Sequence, residues 1–192
     1  AAGLTESSTP SLMTFTRPSI ATYFDAMGVM QQASANTPRI DYDPLTGECK
    51  GLLVEEQRTN LLTYSSRFDN AAWIKLNALI LPSTVVAPDG TLTAQKLIPN
   101  TTSASCHAVS KNISATGVTH SVIAKAGEYS KLMLWFSGLG SGYGFDLSSG
   151  STFAISGVAS TGIAASIAYI GNGFYRCSVY TASAVTSCNA YV

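Results

Sequence analysis

The side chains that could do chemistry in this sequence are mainly aromatic. Sugars offer C–H faces that stack on rings, and hydroxyls that need polar neighbours alongside. Trp73, Trp135, Tyr143, Phe145 and Tyr175 meet that need by type and setting. Tyr143 stands in the glycine-rich stretch Gly138–Gly144, read as a connection where its ring is reachable, and is the first choice for a ligand contact. Trp135 lies in the apolar run Lys131–Phe136 and reads first as core. Trp73 reads as a packing anchor at a junction. Trp135, Tyr175 and Trp73 complete the candidate ligand-binding set.

Hydrolysis of a glycan would need two carboxylates about 5–10 Å apart. Asp41 and Asp43 alternate along an expected strand, so their side chains share a face. Glu55 and Glu56 are adjacent and point to opposite faces. Arg17, Arg39, Arg58 and Arg67 share this region. The plainer reading is ion pairs and turn hydrogen bonds, with Arg39–Asp41 and Arg58–Glu56 as expected partners. Asn60 is expected to satisfy backbone groups. No G-x-S-x-G occurs, and Gly138-Leu139-Gly140-Ser141-Gly142 lacks the lysine and helix of a phosphate loop. Cys49, Cys106, Cys177 and Cys188 form no C-x-x-C pair, and His107 and His120 complete no zinc pattern. No catalytic residue, metal or cofactor is therefore assigned. Cys177 and Cys188 could face each other across a hairpin looping near Ala182–Val185, but free thiols are the favoured reading.

The elements that must position these residues follow from composition and pattern. The 192 residues carry 11 Lys plus Arg and 11 Asp plus Glu, a formal net charge of zero. Charged residues make up 11%, while serine and threonine number 45, so the surface is built largely of hydroxyls and backbone. Such a chain has no electrostatic footprint for nucleic acid. No run of about 18 apolar residues suggests a membrane span. The start, Ala1-Ala2-Gly3, has no charged-then-apolar signal pattern. Residues 1–69 hold 13 of the 22 charged side chains; from Ser137 onward only Asp146 and Arg176 remain. This shift predicts two regions.

Residues 1–12 read as a flexible arm. Residues 13–64 read as a β-hairpin attachment region. Met13–Arg17 is a first extended piece. Ala21–Asp25 and Val29–Ala33 then flank a turn at Ala26-Met27-Gly28. Arg39–Asp43 and Cys49–Glu55 flank one at Leu45–Glu48. Ser65–Trp73 reads as a helical turn or tight loop capped by Ser66 or Asp69. From Ile74 the pattern is strand after strand: Ala94–Ile98, Cys106–Ile113, Thr119–Ala126, Lys131–Ser137, Gly142–Leu147, Thr152–Ser156, Ile163–Ile170, Phe174–Thr181 and Cys188–Val192. That spacing predicts an antiparallel, jelly-roll-like β-sandwich over residues 65–192. Ile163, Ala165, Ile167 and Tyr169 should share one face, as should Tyr175, Cys177 and Val179.

Several stretches carry a resemblance. They are Phe15–Arg17, Ala21–Asp25, Gly28-Val29, Pro38–Pro44, Thr46–Glu48, Lys50–Glu56 and Arg58–Leu62, with Ser65–Trp73 and Gly171–Arg176 beyond. Together they resemble a module of tailed-phage head spike, head fibre and tail-fibre proteins, whose sandwich is similar to carbohydrate-binding modules. The resemblance implies a non-enzymatic virion structural protein, assembled in the host cytoplasm. It would be a homo-oligomer, commonly a trimer, and the interaction-like composition of the charged, hairpin-rich block puts its contacts with other virion proteins, capsid or tail, in the amino-terminal region. A host surface glycan is the ligand it implies, with neither nucleic acid nor membrane as partner. Similar modules continue past the last strand, so a longer parent protein is expected. The alternatives are a capsular polysaccharide depolymerase or its accessory domain, and a bacterial surface adhesin fragment.

Overall fold

The computed structural model describes residues 14–100, 106–158, 160 and 162–192. The arm expected over residues 1–12 lies outside them. The chain divides into two compact units, Ala1–Glu55 and Glu56–Val192. Among the described residues there is no helix and every strand pairing is antiparallel, so the fold is all-β.

The first unit holds two hairpins. Strand β1 (Ala21–Phe24) pairs with β2 (Met30–Ala33), and β3 (Ile40–Tyr42) with β4 (Cys49–Leu52). Thr14–Arg17 joins no strand; Arg17 exchanges backbone hydrogen bonds with Asn36, one of them to the Asn36 side chain, and its guanidinium donates to the Thr37 carbonyl at 2.9 Å. Each turn is closed by an aspartate. Asp25 Oδ1 accepts from the Met27 and Val29 amides, and Asp43 Oδ1 from Leu45 and Thr46. Gly28 (φ 74°) and Gly47 (φ 69°) supply the left-handed positions. A Cβ on Gly47 would stand 2.9 Å from the Ala26 carbonyl oxygen, because the two turns lie against each other.

The second unit is a sandwich-like sheet of seven strands plus one separate hairpin. Two strands of 18 residues, β8 (Ala108–Lys125) and β13 (Phe174–Tyr191), pair along most of their length and form its spine. At one end of the spine β13 pairs with β9 (Lys131–Ser137), which pairs with β10 (Ser141–Asp146), which pairs with β11 (Ser151–Phe153). There β8 pairs with β5 (Ile74–Leu76). At the other end β12 (Ile163–Gly171) flanks β13 instead. The hairpin is β6 (Ala78–Val85) with β7 (Ala94–Pro99), turned at the expected Ala87–Gly90.

This corrects four expected strands into two. Glycine at 117 takes φ 65° within β8, and β13 shifts register between Thr181 and Ala184 at the same level. Pairing resumes beyond these irregularities, so neither strand ends in a turn. Cys177 and Cys188 consequently lie in one strand and cannot face each other across a hairpin; both are free and buried. Burial pushes the Cys177 thiol up to about 12 and Cys188 up to about 11.

The core gathers one face of each half. Leu132, Leu134 and Phe136 come from β9, Phe145 from β10, Val109 from β8, and Cys177, Val179, Cys188 and Ala190 from β13. Ile163, Ala165 and Ile167 of β12 pack on it from the face expected. Ser65–Trp73 forms successive tight turns rather than a helix. Asp69 there binds Arg67 and Gln95 instead of capping. Trp73 is buried in the core, tilted against Phe68 at 4.8 Å, and donates its indole N–H to the Tyr64 carbonyl at 3.0 Å.

Candidate functional site

Strand β9 explains how the sheet acquires a second aromatic face. Its residues are apolar on both sides, and pleating sends Leu132, Leu134 and Phe136 inward. Met133 and Trp135 then project from the opposite side, where both are half-buried. The expectation that Trp135 belongs to the core is thereby overturned.

Register lines up the neighbours on that outer side. One cross-strand row runs Phe153, Gly144, Met133, Tyr191, Ala108, Leu76. The next runs Gly142, Trp135, Asn189, Ser110, Ile74. Lys131 and Asp146 pair beyond the first row. Rows two residues apart lie about 7 Å from each other, which puts the Trp135 and Phe153 backbones roughly 12 Å apart.

The two glycines let the rings lie against the sheet. A Cβ on Gly144 would overlap the Phe153 ring, and one on Gly142 would meet the Leu134 carbonyl and stand 3.0 Å from the Trp135 ring. Both glycines have no side chain to cover their backbone, and the rings cover it instead. Buried polar groups neighbour Trp135 in the sheet. Asn189 donates through Nδ2 to Ser137 Oγ at 2.9 Å and, at 3.3 Å, to Ser187 Oγ and the Trp135 carbonyl. At the Lys131 end there is a concavity of about 190 Å³, lined by Cys106, Lys131, Leu132, Met133, Phe153, Tyr191 and Val192. The Lys131 ammonium lies 5.6 Å from the Phe153 ring centre.

The remaining aromatic candidates lie elsewhere. Tyr143 is not in a connection: the tight turn is the residues before Ser141, and Tyr143 sits inside β10 on the side of Phe145, packed against the core. Tyr175 shares the inward side of β13 with Cys177 and Val179, packs 5.1 Å from Tyr169, and its ring covers Gly150. Trp73 is core. Of the four candidates, only Trp135 belongs to the outer face. Phe153, Met133 and Tyr191 are the additions. The alternation Gly142-Tyr143-Gly144-Phe145 was their signal, since a glycine-bearing strand face leaves room for rings from its neighbours.

The carboxylates are engaged locally. Asp41 Oδ1 accepts from the Phe24 amide at 2.9 Å; Asp43 is tied to its turn and to Lys50 at 3.1 Å. Those turn amides, then Lys50, hold the Asp43 carboxyl below the usual range. Arg39 pairs with Glu55 at 2.8 Å rather than with Asp41, whereas Arg58 pairs with Glu56 at 2.8 Å as expected. Asn60 accepts from the Leu62 amide, also as expected. His107 Nδ1 lies 2.7 Å from the Asn77 carbonyl. His120 is buried beside Phe136, and desolvation pushes it down to about 4, so it is neutral. Among the described residues, no three His, Cys, Asp or Glu side chains gather as a metal site would require. No protein-family model and no curated protein matches this sequence.

Proposed function

We propose that this chain is a non-enzymatic structural protein of a tailed-phage virion, a spike or fibre component, whose larger unit binds host surface glycan. The glycan-binding part rests on one observation. Trp135 and Phe153 lie over glycine backbone on the outer side of the sheet, with Met133 between them and Tyr191 next to Met133 on the far side from Phe153. Rings fixed in this way offer stacking surfaces at small entropic cost. The virion part is supported by the likeness of residues 15–62 to phage spike and fibre modules. That segment is rich in charge and exposes Ile20, Met27 and Val54, as a surface awaiting partner subunits or other virion proteins would.

What weighs against the depolymerase reading is that Asp43 is tied to its own turn and to Lys50, and that Asp41 Oδ1 accepts from the Phe24 amide of the other hairpin. Binding of the purified chain to arrayed bacterial surface polysaccharides tests the proposal. The wild type is expected to bind, and Trp135→Ala to lose binding at least tenfold while keeping a cooperative unfolding transition above the assay temperature. Uniform absence of binding, or full binding by the variant, would remove the glycan role from this face.

A further inference from the structure

The outer face has an uneven charge. Lys131 is the one cation among the residues of the rows described above, and it stands at the concavity. The rest of the lining is apolar or aromatic: Leu132, Met133, Phe153, Tyr191, Val192 and the Cys106 thiol. The nearest acid in register is Asp146, and its carboxylate is committed to its own turn. Asp146 Oδ1 accepts from the Ser148 amide at 2.9 Å, from the Ser148 hydroxyl and from the Ser149 amide. Among the described residues, no carboxylate forms an ion pair with Lys131 within 4 Å. The ammonium lies over the Phe153 ring instead, and its charge reaches the Asp146 carboxylate only as the smallest of the causes that hold that carboxyl low.

A cation above apolar walls suits a ligand that is anionic at one point and hydrophobic at its ring face. We propose that this concavity takes an acidic sugar residue. Its carboxylate would meet Lys131 Nζ, and its C–H face would rest on Phe153, Met133 and Tyr191. The next sugar of the chain would then lie toward Trp135, along the direction in which the row spacing runs. The inference rests on the glycan-binding reading above and adds the charge class of the ligand.

The test uses the full chain and uronic-acid-containing oligosaccharides, each compared with its carboxyl-reduced counterpart, titrated by calorimetry. The acidic form should bind on the order of tenfold more tightly, as a charge-assisted contact implies, and the preference should shrink as salt is raised. Lys131→Gln should abolish the preference while leaving binding of the reduced form in place. Phe153→Ala should weaken both forms. Equal binding of acidic and reduced sugars, or a preference that survives Lys131→Gln, would overturn the charge assignment and leave glycan binding standing. Binding of neither form, by a chain that unfolds normally, would overturn both.

Discussion

The two units solve the problem of stability in opposite ways. In Glu56–Val192, sheet faces close over Leu134, Phe136, Phe145 and Val179, which are fully buried. In Ala1–Glu55, the buried residues among those described are Ala33 and Arg39. A pair of two-stranded hairpins with so little apolar burial is marginal by itself. What joins these hairpins is polar. Arg39 donates to the Thr22 carbonyl of β1 at 2.8 Å while pairing with Glu55, and Asp41 accepts from Phe24 of β1. Nine of the 13 charged side chains before residue 70 belong to this unit, which uses hydrogen-bonded side chains as cross-links where the other uses a core.

The most severe break of this contrast should be in the larger unit. Phe136→Ala removes a fully buried ring from the centre of the core. It should cost about 3–5 kcal/mol in denaturant unfolding. A loss below about 1 kcal/mol would mean that the core does not carry the stability of this unit.

Next comes pH. In the unfolded chain His120 titrates near its ordinary 6.5, and in the folded chain only at about 4. Below pH 6.5 the unfolded state takes up a proton that the folded state refuses. Stability should fall by about 1.4 kcal/mol per pH unit from 6.5 down to 4, roughly 3 kcal/mol in all, and then level off for this group. The held carboxylates Asp25, Asp43, Asp69 and Asp146 act below their ordinary value of 3.8, outside that window, and Glu128, held low by Lys96, begins to act near its ordinary 4.5 in both proteins alike. Denaturation curves of wild type and His120→Leu at pH 7 and pH 4.5 isolate the histidine; parallel losses in both proteins would refute it.

The smallest effect should be local. Arg39→Met keeps the aliphatic stem and removes the hydrogen bonds to Thr22 and Glu55, at a cost of about 1–3 kcal/mol. Hydrogen exchange should quicken at the amides of Phe24 and Leu53, the latter bonded to the Arg39 carbonyl, while β9 amides keep wild-type protection. Unchanged exchange at Phe24 and Leu53 would show that the polar cross-links do not hold the hairpins.

Much of this architecture is legible in the sequence. The two hairpin turns, the Ala87–Gly90 turn and the limits of Lys131–Ser137 follow from turn chemistry and apolar runs. The inward faces of Ile163–Ile167 and of Tyr175–Val179 follow from period-two patterning. The site was less legible. Tyr143 was misplaced because glycines at 138, 140, 142 and 144 look alike in sequence. Only Gly138 and Gly140 take positive φ in the turn, while Gly142 and Gly144 are extended in β10 beneath other residues' rings.

What the sequence determined by itself is local: where chains turn, which runs are extended, and how charge divides between the units. These depend on neighbours a few residues apart. Tertiary structure decided what depends on partners far along the chain. An apolar strand such as Lys131–Phe136 has no preferred face until β10 and β13 flank it, and only then do Leu134 and Phe136 turn inward and Trp135 outward. Likewise Gly117 reads as a break until a matching irregularity in β13 lets pairing continue past it. The candidate binding face exists only through register, because Phe153, Met133, Tyr191 and Trp135 are scattered over the sequence and meet through cross-strand pairing.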